Sequence, residues 1–404
     1  MLAGVQFPID EVRARFPGLT GEDVLLDNAG GSQILGAVID EAADYLRTCN
    51  VQHGASYPRS LRAVARVEAG KRGLASLLGD GPGPVILGPS TSQIVFNLAA
   101  ALAPSLRAGD EIVVTEADHE ANVGAWRRLA AHGVVVRTWA IDRATWRLTP
   151  EGLAPLLSPR TRLVAMTHCT NVLGTIHDVA AIAEMLRGSR ARLFVDGVAY
   201  APHGPVDAAG LGVDGYVFSV YKVYGPHLAA AYLSPEFFAE LANINHEFLA
   251  DAGAYRLEPG GVCYELVAGC AAIPAYLDAL GGGSRAAAWS AIAAQEERLS
   301  AQVVKVLIHR FGASTPSIEA IQDIVEQTLI AADYFQTARA FIVYREQHAK
   351  LRRDRKTVVD VASSINEYLD QLDWRVNANA NQGYSLGGLI LNTSGKVIAN
   401  YWLS

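Results

Sequence analysis

Cysteine is scarce in this chain of 404 residues: Cys49, Cys169, Cys263 and Cys270 are all there is. No two of them stand at a metal-ligand spacing, and Cys263 and Cys270 flank a mostly apolar stretch instead of forming a Cys-x-x-Cys pair. That argues against a structural zinc site and a redox dithiol, and predicts small buried hydrophobes in a reducing compartment. No metal is expected. Long apolar runs are missing too. The run 97–104 is too short to span a bilayer, and 1–16 carries acids and arginines in place of a signal-peptide apolar core. No membrane partner is expected. An excess of basic charge is also lacking, because the formal net charge is −7. Nucleic acid therefore finds no electrostatic footprint, and a soluble cytoplasmic protein is the expectation. There is no internal repeat.

What is present is ample apolar material. Half the residues (50%) are hydrophobic and 19% are charged, enough to bury a large α/β domain with a smaller one beside it. A short amphipathic helix precedes Gly18, with Ile9, Val12 and Phe16 on one side, and a strand is predicted at 24–27. Helical periodicity covers 34–48 and 60–78. Strands at 84–87, 111–115, 134–141, 163–167, 192–195, 215–218 and 228–233 then alternate with helices at 92–102, 120–132 and 178–187. Short buried strands alternating with helices predict a mostly parallel sheet covered on both faces, with ligands gathering where the strands end.

The polar residues fall at those ends. Asp196 closes one strand, and Lys222 follows another in an apolar and aromatic setting (Val217, Phe218, Val220, Tyr221, Val223, Tyr224). A desolvated lysine amine loses its proton more easily and attacks an aldehyde better, although a lysine whose stem lies on the surface is the commoner case. Pyridoxal 5′-phosphate (PLP) needs an amine for its aldehyde and an anion at its ring nitrogen. Ser90, Thr91 and Ser92, between a strand and a helix, offer hydroxyls and backbone N–H groups to a phosphate, or simply cap the helix. His119, after a further strand, stacks on a ring or stands in solvent.

These residues, taken in order with Asp27-Asn28-Ala29, Asp118-His119-Glu120-Ala121-Asn122, His168-Cys169-Thr170-Asn171-Val172-Leu173-Gly174 and Ser219-Val220-Tyr221-Lys222, resemble class V aminotransferase-like enzymes. The cysteine desulfurase and selenocysteine lyase branch is the nearest in pattern, over about 10–295. The resemblance implies an α/β fold-type-I PLP-dependent transferase domain with a mostly parallel mixed sheet between helices. It also implies a homodimer with active sites at the subunit boundary, and a small amino acid as substrate. Lys222 matches the Schiff-base lysine, Asp196 the partner of the pyridinium nitrogen, and His119 the stacking histidine. Ser90, Thr91, Ser92, Ser219 and Tyr221 match phosphate-binding positions. Asn171 matches the asparagine near the cofactor oxygen and substrate carboxylate, and Asn28 a substrate-pocket position. Three features depart from the pattern: Val198-Ala199-Tyr200 supplies no glutamine after the aspartate, Tyr221 stands for histidine, and Gly260-Gly261 for Gly-Thr. The family's attacking cysteine and carboxylate-binding arginine belong to a C-terminal small domain that this chain is expected largely to lack.

After Gly281 the alternation stops. Helical patterns cover 289–310, 314–330 (with Ser317 and Ala320 in its first turn) and 337–351. The run Thr315-Pro316-Ser317-Ile318-Glu319, with 321–326 and 337–345, resembles the second half of an ATP cone. The runs Asp373-Trp374-Arg375-Val376-Asn377 and Tyr384-Ser385-Leu386-Gly387-Gly388 resemble the opening of an anaerobic ribonucleoside-triphosphate reductase. The expected domains are therefore 1–295, 296–350 and 351–404, with a junction between Gly281 and Phe311. Val325, Ile342 and Val343 are expected in a helical core and the run 352–356 on a solvated face, with poor packing of the tail and no ATP or dATP binding by it. The competing readings of the whole chain are a nucleotide-responsive regulatory fragment of such a reductase, or an inactive fusion product.

Overall fold

Seven apolar runs pair into a single sheet in the computed structural model, which describes residues 7–21, 23–26, 28–312 and 314–355. In chain order the strands are β1 (Val85–Gly88), β2 (Glu111–Thr115), β3 (Val135–Trp139), β4 (Thr161–Thr167), β5 (Arg192–Asp196), β6 (Gly215–Ser219) and β7 (Ala229–Leu233). They lie in the order β1-β7-β6-β5-β4-β2-β3. The block from β6 to β3 is parallel, and β7 is antiparallel to both its neighbours. Every residue of β2, β4, β6 and β7 is buried, which is why these strands read as unbroken apolar runs instead of alternating ones.

Alternation still decides which face each side chain takes. Ile112, Val114, Leu163, Ala165, Phe194, Val217, Ala229 and Ala231 share a core cluster with Ile94, Val95 and Leu98 of the helix Thr91–Leu102, and with Trp126. By the same period, Asp196 and Ser219 project on the face that carries this helix.

The chain divides into two units, Met1–Thr20 with Ala29–Ala293, and Gly21–Asn28 with Ala294–Ser404. The first holds the sheet. In the second, the helix Ile318–Ala331 begins on Ser317, whose Oγ accepts from Ala320 N–H at 3.2 Å, and packs on the helix Phe335–Arg355. Val325, Leu329, Ala338 and Phe341 form the small core of that pair, with Leu26, Val303 and Tyr334 against it. Among the described residues no single helix is long and apolar enough to cross a membrane.

Several expectations need correction. Residues 23–26 form no strand; Leu26 spends its apolar surface on the helical core instead. The helix expected at 120–132 is broken into Glu120–Asn122, Gly124–Arg127 and Arg128–His132, because the Asn122 side chain is drawn into hydrogen bonds at the strand ends. Ile342 and Val343 are 42% and 49% exposed, so the helical core uses Phe341 and Ala338 and leaves the next two positions to solvent. Cys49 and Cys270 are buried as expected, but Cys169 is half-buried and Cys263 exposed. The reductase-like motifs at 373–388 lie outside the described residues.

Candidate active site

Register brings distant residues to one edge of the sheet. Gly88 and Ser219 both pair with Ala229, so the loop after β1 and the end of β6 stand level. Thr91 Oγ1 and Ser219 Oγ meet there at 2.7 Å, both buried. The neighbouring hydroxyls behave differently. Ser90 Oγ accepts from Gln93 N–H at 3.1 Å as the N-cap of the helix Thr91–Leu102, and Ser92 is exposed.

Asp196 ends β5 at the same edge, buried, with its Oδ1 accepting Val198 N–H at 2.8 Å. Burial pushes its carboxyl up from the ordinary range, while Val198 N–H, His119 and Lys222 pull it back. The structure therefore brings both His119 and Lys222 within electrostatic reach of Asp196. His119 Nδ1 accepts Ala121 N–H at 3.1 Å, which orients the ring and leaves the proton of a neutral imidazole on Nε2. Lys222 ends the short turn Val220–Lys222, half-buried beside the buried Val220 and Val223. Asn171 lies exposed in the turn after β4, and Tyr221 stacks on His227 with ring centroids 5.2 Å apart. The Asn28 side chain lies outside the described residues.

The family model "Aminotransferase class-V" matches residues 24–246. The chain belongs to this family. It is 39% identical over 317 residues to the aminotransferase-like protein FGM3 of Gibberella zeae, covering 76% of this chain and 77% of that one. It is 32% identical to the cysteine desulfurase-like protein ustD of Aspergillus flavus, over 75% of this chain and 69% of that one. Among solved structures it resembles the cysteine desulfurase CsdA of Escherichia coli, at a TM-score of 0.63 and 26% identity over 76% of this chain and 79% of that one. A second model, "ATP cone domain", matches residues 285–350, from the first residue of the helix Arg285–Phe311 and so earlier than the expected 296. Neither match extends into 351–404.

Membership of the class-V aminotransferases implies PLP as cofactor, and the residues present fit it. A buried carboxylate whose acidity is suppressed by burial calls for a cationic donor, which a protonated ring nitrogen supplies. A pair of buried hydroxyls holding each other leaves one O–H for a phosphate oxygen.

Other residues of this class-V site escaped the sequence. Ser32 clamps the lysine turn: its N–H and Oγ–H donate to Tyr221 O at 2.9 and 3.1 Å, and its Oγ accepts Tyr224 N–H at 2.9 Å. Tyr224 is left-handed (φ 61°), a costly backbone for a bulky residue, and sits two positions past Lys222. Behind Asp196, His168 Nδ1 meets Tyr216 Oη at 2.8 Å and stacks on Tyr200 at 3.7 Å. Burial, then His177, push His168 down to about 4, so this imidazole is neutral. Tyr200 occupies the stretch where a glutamine was expected. Glu258 Oε1 accepts Leu87 N–H at 2.8 Å and pins the segment before Gly260 and Gly261 to β1. His168, Tyr200 and Tyr224 stand inside or beside the motifs quoted from the sequence, but no local pattern assigned them a role, and Ser32, Tyr216 and Glu258 carried no signal. Burial pushes the thiols of Cys169 and Cys270 up to about 11 and about 12, against any role as thiolates.

Proposed function

We propose that this class-V protein is a PLP-dependent enzyme of the cysteine desulfurase-like type acting on a small amino acid, with Lys222 bonding the cofactor aldehyde. The observation that carries the reading is the buried Thr91–Ser219 hydroxyl pair at the strand edge where Asp196 ends β5, with His119 and Lys222 both acting electrostatically on the Asp196 carboxyl. Bound PLP supplies an aldehyde and a ring that draws electrons from the substrate α-carbon. Asp196 holds the proton on the ring nitrogen. His119, its Nδ1 committed to Ala121 N–H, offers a flat face to that ring. The Lys222 amine would hold the cofactor through its aldehyde and, when free, would serve as the base for the substrate α-proton. Thr91 and Ser219, with Ser90, Ser92 and Tyr221 around them, are assigned to the phosphate, and Asn171 and Asn28 to the substrate. A homodimer in the cytoplasm is part of the same proposal. The names cysteine desulfurase and cysteine desulfurase-like among the relatives support a small amino-acid substrate.

The test is spectroscopic. Native protein mixed with PLP should gain a visible absorbance band that borohydride removes, and Lys222→Ala should not gain it. A native protein without the band, or a variant that keeps it, overturns the assignment.

The ATP-cone match carries a second reading, nucleotide sensing by the C-terminal helices. Calorimetry of the full chain with ATP and dATP tests it, and absence of heat ends it.

A further inference from the structure

Asp118 stands one position before His119, and its carboxylate gathers donors from three segments. Thr115 Oγ1–H, at the end of β2, donates at 2.6 Å; Asn122 Nδ2–H donates at 2.9 Å; Thr167 N–H, at the end of β4, is the third. Asn122 is itself fixed. Its N–H donates to His119 O at 2.9 Å, its amide also reaches Met166 O at 3.4 Å, and its Oδ1 accepts Trp126 Nε1–H at 3.2 Å. His119 is thus bracketed between two residues tied to each other and to two strand ends. The indole of Trp126 is fully buried and anchors the far side.

We propose that Asp118 is a positioning residue that fixes the turn presenting the His119 ring beside Asp196 before any cofactor arrives. The inference rests on the PLP reading above. A turn held in its binding geometry spares the ordering cost that binding would otherwise carry. Without the Asp118 carboxyl, Thr115 Oγ1–H and Thr167 N–H lose this acceptor, the Asn122 amide keeps only its longer bond to Met166 O, and the His119 turn loses its tie to β2.

The chemistry also says which substitution preserves the device. Burial, then the neighbouring Asp196, push Asp118 up to about 7, so its neutral form is populated near neutrality. Thr115 Oγ1 accepts Ala117 N–H at 3.2 Å, and its remaining lone pair can take a proton from residue 118. An asparagine at 118 reproduces that neutral form, with its amide N–H toward Thr115 and its carbonyl toward Asn122.

The test compares full-length native protein, Asp118→Asn, Asp118→Ala and His119→Ala for PLP affinity and for the visible circular dichroism of bound PLP. Asp118→Ala should weaken PLP by about tenfold and lose most of the dichroism, as His119→Ala does. Asp118→Asn should remain within about threefold and keep its dichroism. In a His119→Ala background, Asp118→Ala should add no further loss, since the ring it positions is gone. Native affinity and dichroism in Asp118→Ala, a full additional loss in the double variant, or an Asp118→Asn as impaired as alanine overturns the inference. Where Asp118→Ala does not fold, Asp118→Ser is read by the same criteria. A native protein that binds no PLP instead ends the reading on which the inference rests.

Discussion

Thr91 Oγ1 and Ser219 Oγ lie 2.7 Å apart although 128 positions separate them in the chain. The contact follows from register, because β7 stands between β1 and β6 and levels their ends at Ala229. Only one of two mutually bonded hydroxyls donates to the other, so the second keeps a proton for an outside acceptor. Thr91→Ala should therefore weaken PLP by about tenfold, roughly 1.4 kcal/mol, while Thr91→Ser stays close to native. Fluorescence titration with PLP measures both. Equal affinities for native and alanine proteins would exclude the pair from the phosphate site.

Gly197 has no room for a side chain. A Cβ there would stand 2.1 Å from the ring of Tyr216 and 2.3 Å from its hydroxyl. Tyr216 is fully buried and holds His168, so it has nowhere to move cheaply. Gly197→Ala should cost at least about 3 kcal/mol, at the upper end for overpacking, and disturb Asp196 next to it. Thermal unfolding reads the cost; a native-like Tm would mean that the Tyr216 ring is not fixed.

The sheet and its ligand edge were legible because polar residues interrupting apolar runs mark strand ends, and Asp196, Ser219 and Lys222 each follow a run of that kind. What the residues at those ends do to one another was not legible. Asp118 finds Thr167, and Ser32 finds Tyr221 and Tyr224, across spacings that no local pattern encodes. Apolar content alone misled at Val24–Leu26, where the expected strand is absent, and at Ile342 and Val343. Helical periodicity names a helix, but its buried face depends on which partner it meets, and here Phe341 meets Val325 and Leu329. The break at Asn122 shows the same limit: local propensity favoured one helix, and tertiary hydrogen bonds outweighed it.

Glu111 offers a pH-dependent test of the sheet. It accepts from Arg137, Ser158 and Arg160 at 2.7–3.0 Å and is held down to about 2, chiefly by Arg137. A depressed carboxyl stabilises the fold above its unfolded value, near 4.5, and that contribution disappears as pH falls through about 2. Glu111→Gln should then be less stable than native protein at pH 7 by about 1–3 kcal/mol, discounted because both arginines are partly exposed. The gap should close between about pH 4.5 and 2. Denaturant unfolding of both proteins across that range measures it, and a gap that does not change with pH would assign the effect to shape alone.

In the helical unit, Arg345 reaches from the helix Phe335–Arg355 to Glu326, to Asp323 at 2.9 Å and to Gln322 at 3.1 Å on the helix Ile318–Ala331. Beneath it, Phe341 is 2% exposed in a core of few residues. Phe341→Ala should cost about 3 kcal/mol or more, which a core this small cannot absorb. Arg345→Met keeps the apolar stem and removes the ion pairs, so it should cost about 1 kcal/mol. If the helices form their own cooperative unit, amide exchange in the full chain should rise over Ile318–Ala331 and 335–348 in Phe341→Ala while β4, β5 and β6 keep their protection. An equal rise in those strands would show that the two units unfold as one, and no rise anywhere would remove Phe341 from the core that joins the helices.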